Sequence, residues 1–250
     1  MINQCVTCRR LRGRPIEQFL ADLPQERVDP TPPFSHIGMD CFDPFHIKDK
    51  RTELKKYGLI LTCLYSRAIH IETLDDLSAD ALINALRCFI CIRGPVKTII
   101  CDNGTNFVGA SNEFAKELEK LDSKSYLGRY FQQAQINFEF NVLNASHAGG
   151  VWEQQIWNVR AVLSGMIVRK YNARLNSAGL RTALNEVMAV VNSRPLAVDD
   201  LHNPQRSVLT PNHLVTMKGQ SIPSSPGVFE GSEIYGRKMW RRVQQFGEEF

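Results

Sequence analysis

The sequence predicts an α/β fold, a mixed five-stranded sheet with helices on both faces. Three observations predict it. Segments with strand and helix patterning follow one another as three strands, a helix, a strand, a helix, a strand and then long helices, an order that suits layered α/β architecture. Residues 57–65 are almost continuously apolar, which requires both faces of that strand to be covered. Residues 78–92 and 151–171 carry apolar side chains at helical spacing, which supplies the covering layers.

Each element has a local reason. Pro15, Pro24, Pro30, Pro32 and Pro33 make residues 15–35 an extended connector, because proline fixes φ and disfavours helix in the residue before it. His36-Ile37-Gly38-Met39-Asp40-Cys41-Phe42 reads as a strand with a carboxylate at its centre. Tyr57 to Tyr65 and Ala68 to Leu74 follow as strands joined through Ser66-Arg67. Ser78 caps a helix running to Ile92, with Ala81, Leu82, Ala85, Leu86, Phe89 and Ile90 on its inner face, and Gly94-Pro95 ends it. Val96 to Cys101 forms the fourth strand and delivers Asp102 to an Asn103-Gly104 turn. A charged helix over 112–121, a short helix over Tyr130–Gln135 and a strand over Ile136–Phe140 come next. Ser146-His147-Ala148-Gly149-Gly150 reads as a flexible loop before a long helix, Val151 to Tyr171. Asn176 to Ser193 forms another helix, stopped by Arg194-Pro195, and Pro211 opens a short one. A linker from Gln220 to Gly227 leads to a basic helical stretch, Arg237 to Glu249.

Composition narrows the function classes. In 250 residues, 43% hydrophobic and 22% charged content are ordinary for a soluble globular protein. Neither a membrane-spanning apolar run nor a leader is present, so an intracellular protein without a membrane partner is expected. The net charge is +4, with Arg9, Arg10, Arg12 and Arg14 near one end and Arg237, Lys238, Arg241 and Arg242 near the other. Two basic ends suit contacts to DNA or RNA backbone, and a solvated surface accounts for the same charges. Seven cysteines form no secreted disulfide pattern. Cys41, Cys63 and Cys101 read as small buried hydrophobes, and Cys88-x-x-Cys91 as part of a helix core. Cys5-x-x-Cys8 has the spacing of half a zinc site without its other half.

The candidate chemistry lies in three carboxylates: Asp40 within a strand, Asp102 at a strand end and Glu153 at a helix start. At about 100° per residue, Trp152, Ile156, Val159, Leu163 and Met166 form the core face of that helix. Glu153, Trp157, Arg160 and Ser164 form an adjacent stripe. A first-turn Glu also has a plain explanation in the helix dipole. Three converging carboxylates do not all stay ionised cheaply without a cation, and a hard divalent ion such as Mg²⁺ or Mn²⁺ is the natural partner for oxygen ligands. Two such ions about 4 Å apart activate a nucleophile and stabilise the leaving oxygen of a phosphodiester. Asp43 has the wrong strand parity to share the ion with Asp40, and Asp75 and Asp76 suit a turn before a helix.

Gly38-Met39-Asp40, Cys101 through Ala110 (Cys-Asp-Asn-Gly-Thr-Asn-Phe-Val-Gly-Ala) and His147-Ala148-Gly149-Gly150-Val151-Trp152-Glu153 together resemble the integrases of retroelements, most closely the BEL/Pao class of long-terminal-repeat retrotransposons. Asn192-Ser193-Arg194-Pro195-Leu196 and Leu209-Thr210-Pro211-Asn212-His213-Leu214 extend the resemblance, which runs from about Cys5 to Lys218. It implies a ribonuclease-H-like core in which Asp40, Asp102 and Glu153 are the catalytic residues and hold two Mg²⁺ or Mn²⁺ ions. It implies 3′-end processing and strand transfer of element DNA into target DNA. Asn103 and Gly104 match the turn after the second Asp, Arg160 a basic DNA-contacting position two turns after the Glu, and Trp157 the DNA-contacting position one turn after it. The long spacing between Asp102 and Glu153 resembles the BEL/Pao spacing, with the short helix near Tyr130 as the extra element.

The implied organisation is a remnant of a zinc-binding domain at 1–14, the connector at 15–35, the catalytic core with a carboxy-terminal extension at 36–218, and a linker with the start of a truncated basic module at 219–250. Zn²⁺ belongs only to an intact amino-terminal domain, with Cys5 and Cys8 as its surviving ligands. DNA is the implied partner, a homo-oligomer the state of the full-length protein, and the nucleus and cytoplasmic particles its location. A non-catalytic nucleic-acid-binding remnant and a ribonuclease-H-like nuclease are the other readings.

Overall fold

The computed structural model describes residues 25–28, 30–49, 52–101, 125–140, 146–168, 175–196 and 208–218. Its strands are β1 (His36–Asp49), β2 (Thr52–Cys63), β3 (Ile69–Leu74), β4 (Thr98–Cys101) and β5 (Asn137–Phe140). Its helices are α1 (Gln25–Val28), α2 (Ala79–Arg93), α3 (Tyr126–Gln133), α4 (Ser146–Val168), α5 (Ser177–Asn192) and α6 (Pro211–Thr216). The strands form one mixed sheet in the order β3-β2-β1-β4-β5. β1 pairs antiparallel with β2 and parallel with β4, β2 pairs antiparallel with β3, and β4 parallel with β5.

Strand alternation divides the core between the two faces. Ile37 and Met39 of β1 join Leu59, Leu61, Ile99 and Cys101, and with them Leu82, Leu86 and Phe89 of α2. Phe42, Ile60, Ile69 and Ile71 point to the other face, where Ile156 and Val159 of α4 and Leu180, Leu184 and Val187 of α5 cover them. The mixed five-stranded sheet with helices on both faces is therefore the observed architecture.

Where the elements differ from expectation, tertiary burial explains it. β1 runs on to Asp49 and β2 starts at Thr52, making a longer hairpin than the sequence suggests. A bulge between Phe42 and Pro44 leaves Asp43 as the extra residue, puts the proline where the ladder is irregular and resets the alternation. Phe45, Ile47 and Leu54 then reach the α4–α5 side, and the Lys48 amide donates to the Leu175 carbonyl at 2.9 Å. α4 begins at Ser146, so the segment expected to be a loop is helical. Two glycines cost a helix about 1 kcal/mol each, and burial of Val151 and Trp152 at 3% and 1% exposure offsets that.

α2 and α5 start where their caps place them, with Ser78 accepting from the Ala81 amide and Asn176 from the Gly179 amide. α3 starts earlier than expected because Ser125 caps it. Gln25–Val28 forms one helical turn within the stretch expected to be extended. Cys88 and Cys91 are exposed, which corrects the reading of that pair as core: the inner face of α2 is Leu82, Ala85, Leu86 and Phe89, and both thiols fall on the opposite flank. Cys5, Cys8, the 112–121 helix and residues 219–250 lie outside the described residues.

Candidate metal and nucleic-acid site

Asp40 stands on the central strand, between β2 and β4, with only 5% exposure. The Cys41 amide donates to its Oδ1 at 2.7 Å. Burial pushes the Cys41 thiol well above the ordinary thiol range, and the neighbouring Asp40 carboxylate adds to the effect. Cys41 is thus a protonated neighbour, and the oxygens of Asp40 are the candidate donors at this point of the sheet.

Gly38 and Asp40 share a face of β1 because side chains alternate along a strand. Trp152 of α4 packs directly against Gly38: a Cβ built there would stand 2.8 Å from Cζ3 and 3.0 Å from Cδ2 of the ring, and closer still to Cε3. Trp152 is 1% exposed and packs with Leu64, Val151 and Ile100. Ile100 is the register partner of Gly38 on β4, and Cys101 that of Met39. Asp102, next in sequence after Cys101, lies outside the described residues, as do Asn103 and Gly104.

Glu153 follows Trp152 and is exposed. Because α4 begins at Ser146, Glu153 lies beyond its first turn, which holds no acidic residue. The dipole explanation for Glu153 therefore does not apply. The structure puts Asp40 and the Trp152–Glu153 turn on the same side of the sheet. Among the described residues no three His, Cys, Asp or Glu side chains form a metal-sized group, and Asp102 is not among them. The donors at hand, two carboxylates without a thiolate or imidazole, are of the type that suits Mg²⁺ or Mn²⁺.

The faces of α4 sort as its periodicity demands. Trp152, Ile156, Val159 and Leu163 are buried, while Glu153, Trp157, Arg160 and Ser164 are exposed; the side chain of Met166 lies outside the described residues. Trp157 is 65% exposed, so an aromatic face stands one turn from Glu153, followed by a guanidinium.

Two features escape the sequence reading. One is the Gly38–Trp152 contact, whose only trace is a glycine two residues before Asp40 and a tryptophan directly before Glu153. The other is the role of Asn192-Ser193-Arg194-Pro195, which anchors the fold. The Asn192 side chain accepts from the Ile69 amide at 2.8 Å and donates to the Ile69 carbonyl at 2.9 Å. Arg194 donates to the Arg67 and Val191 carbonyls at 2.6 and 2.7 Å. Burial, with Arg67 nearby, pulls its guanidinium down to about 10. Asn212 of α6 donates to Ser193 Oγ at 2.9 Å, while a Thr210–His213 capping box starts α6. This second cluster gives residues of both carboxy-terminal motifs a structural role, through bonds to backbone groups and between side chains.

No curated protein sequence matches the chain. Among solved structures it is similar to a chain of the simian T-cell lymphotropic virus intasome in complex with PP2A regulatory subunit B56 gamma, at 17% identity and a TM-score of 0.51, covering 92% of this chain and 68% of that one. The HTLV-2 integrase catalytic core domain in complex with magnesium (dimeric form) aligns at 18% identity and a TM-score of 0.44, covering 72% of this chain and 94% of that one. Residues 30–131 match the family described as Integrase core domain, a span that contains Asp40 and Asp102 and stops short of Glu153. The fold is the ribonuclease-H-like fold of retroviral integrase catalytic cores, and residues 30–131 carry the integrase core domain match.

Proposed function

We propose that the chain is the catalytic core of a retrotransposon integrase of the BEL/Pao class, a polynucleotidyl transferase acting on DNA ends. The observation that carries this reading is a nearly buried Asp40 on the central strand, facing the side on which α4 presents Glu153. Asp40, Asp102 and Glu153 hold a pair of divalent ions in this reading. Such ions, when bound, polarise the attacking oxygen and stabilise the leaving one. Asp40 supplies a rigid, acceptor-only donor from a strand. Glu153 supplies a longer donor from a helix seated on the same strand. Trp157 offers a face on which a base stacks, Arg160 neutralises a phosphate, and Asn103-Gly104 lets the backbone approach the DNA end. Processing then uses water to free a 3′-hydroxyl, and strand transfer uses that hydroxyl to attack target DNA. The protein acts as a homo-oligomer in this reading, since two element ends must be held together.

The test is a labelled element-end duplex incubated with the protein and Mg²⁺ or Mn²⁺. End trimming or strand joining is expected, and Asp102→Asn abolishes it. Activity that survives Asp102→Asn refutes the assignment. Salt-dependent DNA binding with no metal-dependent cleavage by the native chain favours a non-catalytic DNA-binding protein instead.

A further inference from the structure

We infer that Trp152 is a positioning residue: its seat on Gly38 sets where Glu153 stands relative to Asp40. The inference rests on the reading that these two carboxylates share a divalent-ion site. Gly38 and Asp40 lie on one face of β1, and Trp152 and Glu153 are consecutive on α4, so one contact sets the helix donor against a strand donor that the sheet already holds. The fit is close, because a Cβ at Gly38 would overlap the six-membered part of the indole. The indole is held by shape: among the described residues its Nε1 is buried with no hydrogen-bond partner. Neighbouring side chains close the seat, with Ile100 beside Gly38 on β4 and Thr62 opposite it on β2. A ring wedged this way blocks both sliding of α4 along β1 and rotation about its own axis, and either motion would swing Glu153 away from Asp40. Glu153 needs such a device because it is exposed, so no packing of its own side chain fixes it.

The test uses the full chain and reads divalent-ion binding by the electron paramagnetic resonance of free Mn²⁺, with Mg²⁺ and Ca²⁺ as competitors. The native chain, Gly38→Ala, Trp152→Leu and the paired Gly38→Ala/Trp152→Leu are compared at temperatures where circular dichroism shows each folded. Asp40→Asn and Glu153→Gln define the site. Residues that orient metal ligands are worth about 10- to 100-fold in metal affinity, so each single variant should bind Mn²⁺ at least about tenfold more weakly. The paired variant, which exchanges a small–large contact for a medium–medium one, should recover most of that loss. The loss should fall harder on Mg²⁺ than on Ca²⁺, because Mg²⁺ demands near-ideal octahedral geometry and Ca²⁺ does not. A purely structural contact would lower the melting temperature without this ion selectivity. Folded single variants that bind all three ions as the native chain does overturn the positioning role alone. Native binding that is indifferent to Asp40→Asn and Glu153→Gln overturns the shared-ion reading and the positioning role with it. Should Gly38→Ala not fold, Trp152→Leu against the paired variant decides: equal affinities at the native value refute the inference, and recovery in the pair supports it.

Discussion

Replacing Asn192 removes what stands in for a neighbouring strand. β3 is an edge of the sheet, and the Asn192 amide occupies the place where another strand would bond: its Oδ1 accepts from the Ile69 amide and its Nδ2 donates to the Ile69 carbonyl. Asn192 is 4% exposed and Ile69 fully buried, so water does not take over when the side chain is lost. A buried backbone group left unpaired costs about 1–3 kcal/mol. Two such groups make Asn192→Leu, similar in volume and unable to bond, destabilising by about 2–4 kcal/mol, after some credit for the added apolar contact. Asn192→Asp separates the two bonds, because it still accepts from the amide but sets a carboxylate against the carbonyl; it should be no milder than the leucine. Urea unfolding at fixed pH gives the free-energy change, and amide exchange at Ile69 should accelerate with it. A loss below about 0.5 kcal/mol, the range of ordinary surface substitutions, refutes the argument that this amide completes the edge.

Other perturbations probe charge and the α4 stripe. Burial pushes the Glu186 carboxyl up to about 7 from 4.5, and its Oε2 is buried without a hydrogen-bond partner among the described residues. The folded chain therefore holds the Glu186 proton more tightly than the unfolded one, and this contribution to stability is lost as pH rises from 4.5 through about 7. Glu186→Gln should flatten the change in urea midpoint between about pH 5 and about pH 8, and an unchanged pH dependence refutes the assignment. On the stripe, Trp157→Ala should cost about 1–3 kcal/mol of single-stranded DNA affinity with little change in salt dependence. Arg160→Ala should lower the slope of log affinity against log salt by about 1. Fluorescence anisotropy across a salt series separates the two, and an exchanged pattern refutes stacking at Trp157.

Elements whose patterning is local could be read from the sequence. Ser78, Asn176 and Thr210 cap helices that start beside them, and the apolar stripe of α4 faces inward as its spacing requires. What escaped depends on partners distant in sequence. The core face beginning at Trp152 could be read, but nothing in Ser146 to Gly150 reveals that the helix runs back through two glycines. The hairpin beyond Phe42 was hidden because a bulge breaks the two-residue period that marks a strand. Cys88 and Cys91 share an amphipathic helix with core residues, yet its inner arc is narrow enough to leave both outside. Near the candidate site, the inward face of α4 was legible, while the seat that holds α4 against β1 was not, since glycine leaves no hydrophobic mark.

The two described carboxylates are supported in opposite ways, and the difference bears on how such a site assembles. Asp40 is nearly buried on a strand paired along both edges, with its carboxylate accepting from the next amide, so its position follows from the sheet. Glu153 is exposed and carries one more rotatable bond, so the sheet does not fix it. Its place follows from where α4 sits, which depends on an indole resting on a residue with no side chain. A helix so anchored can carry a solvent-facing stripe of carboxylate, aromatic and cation without surrendering its packing, because Ile156, Val159 and Leu163 remain buried on the face beside it. Rigidity on the strand then comes from the sheet and accessibility on the helix from the seat of α4, which is why substitutions at Gly38 and Trp152 should shift Glu153 relative to Asp40 and change ion geometry as well as stability.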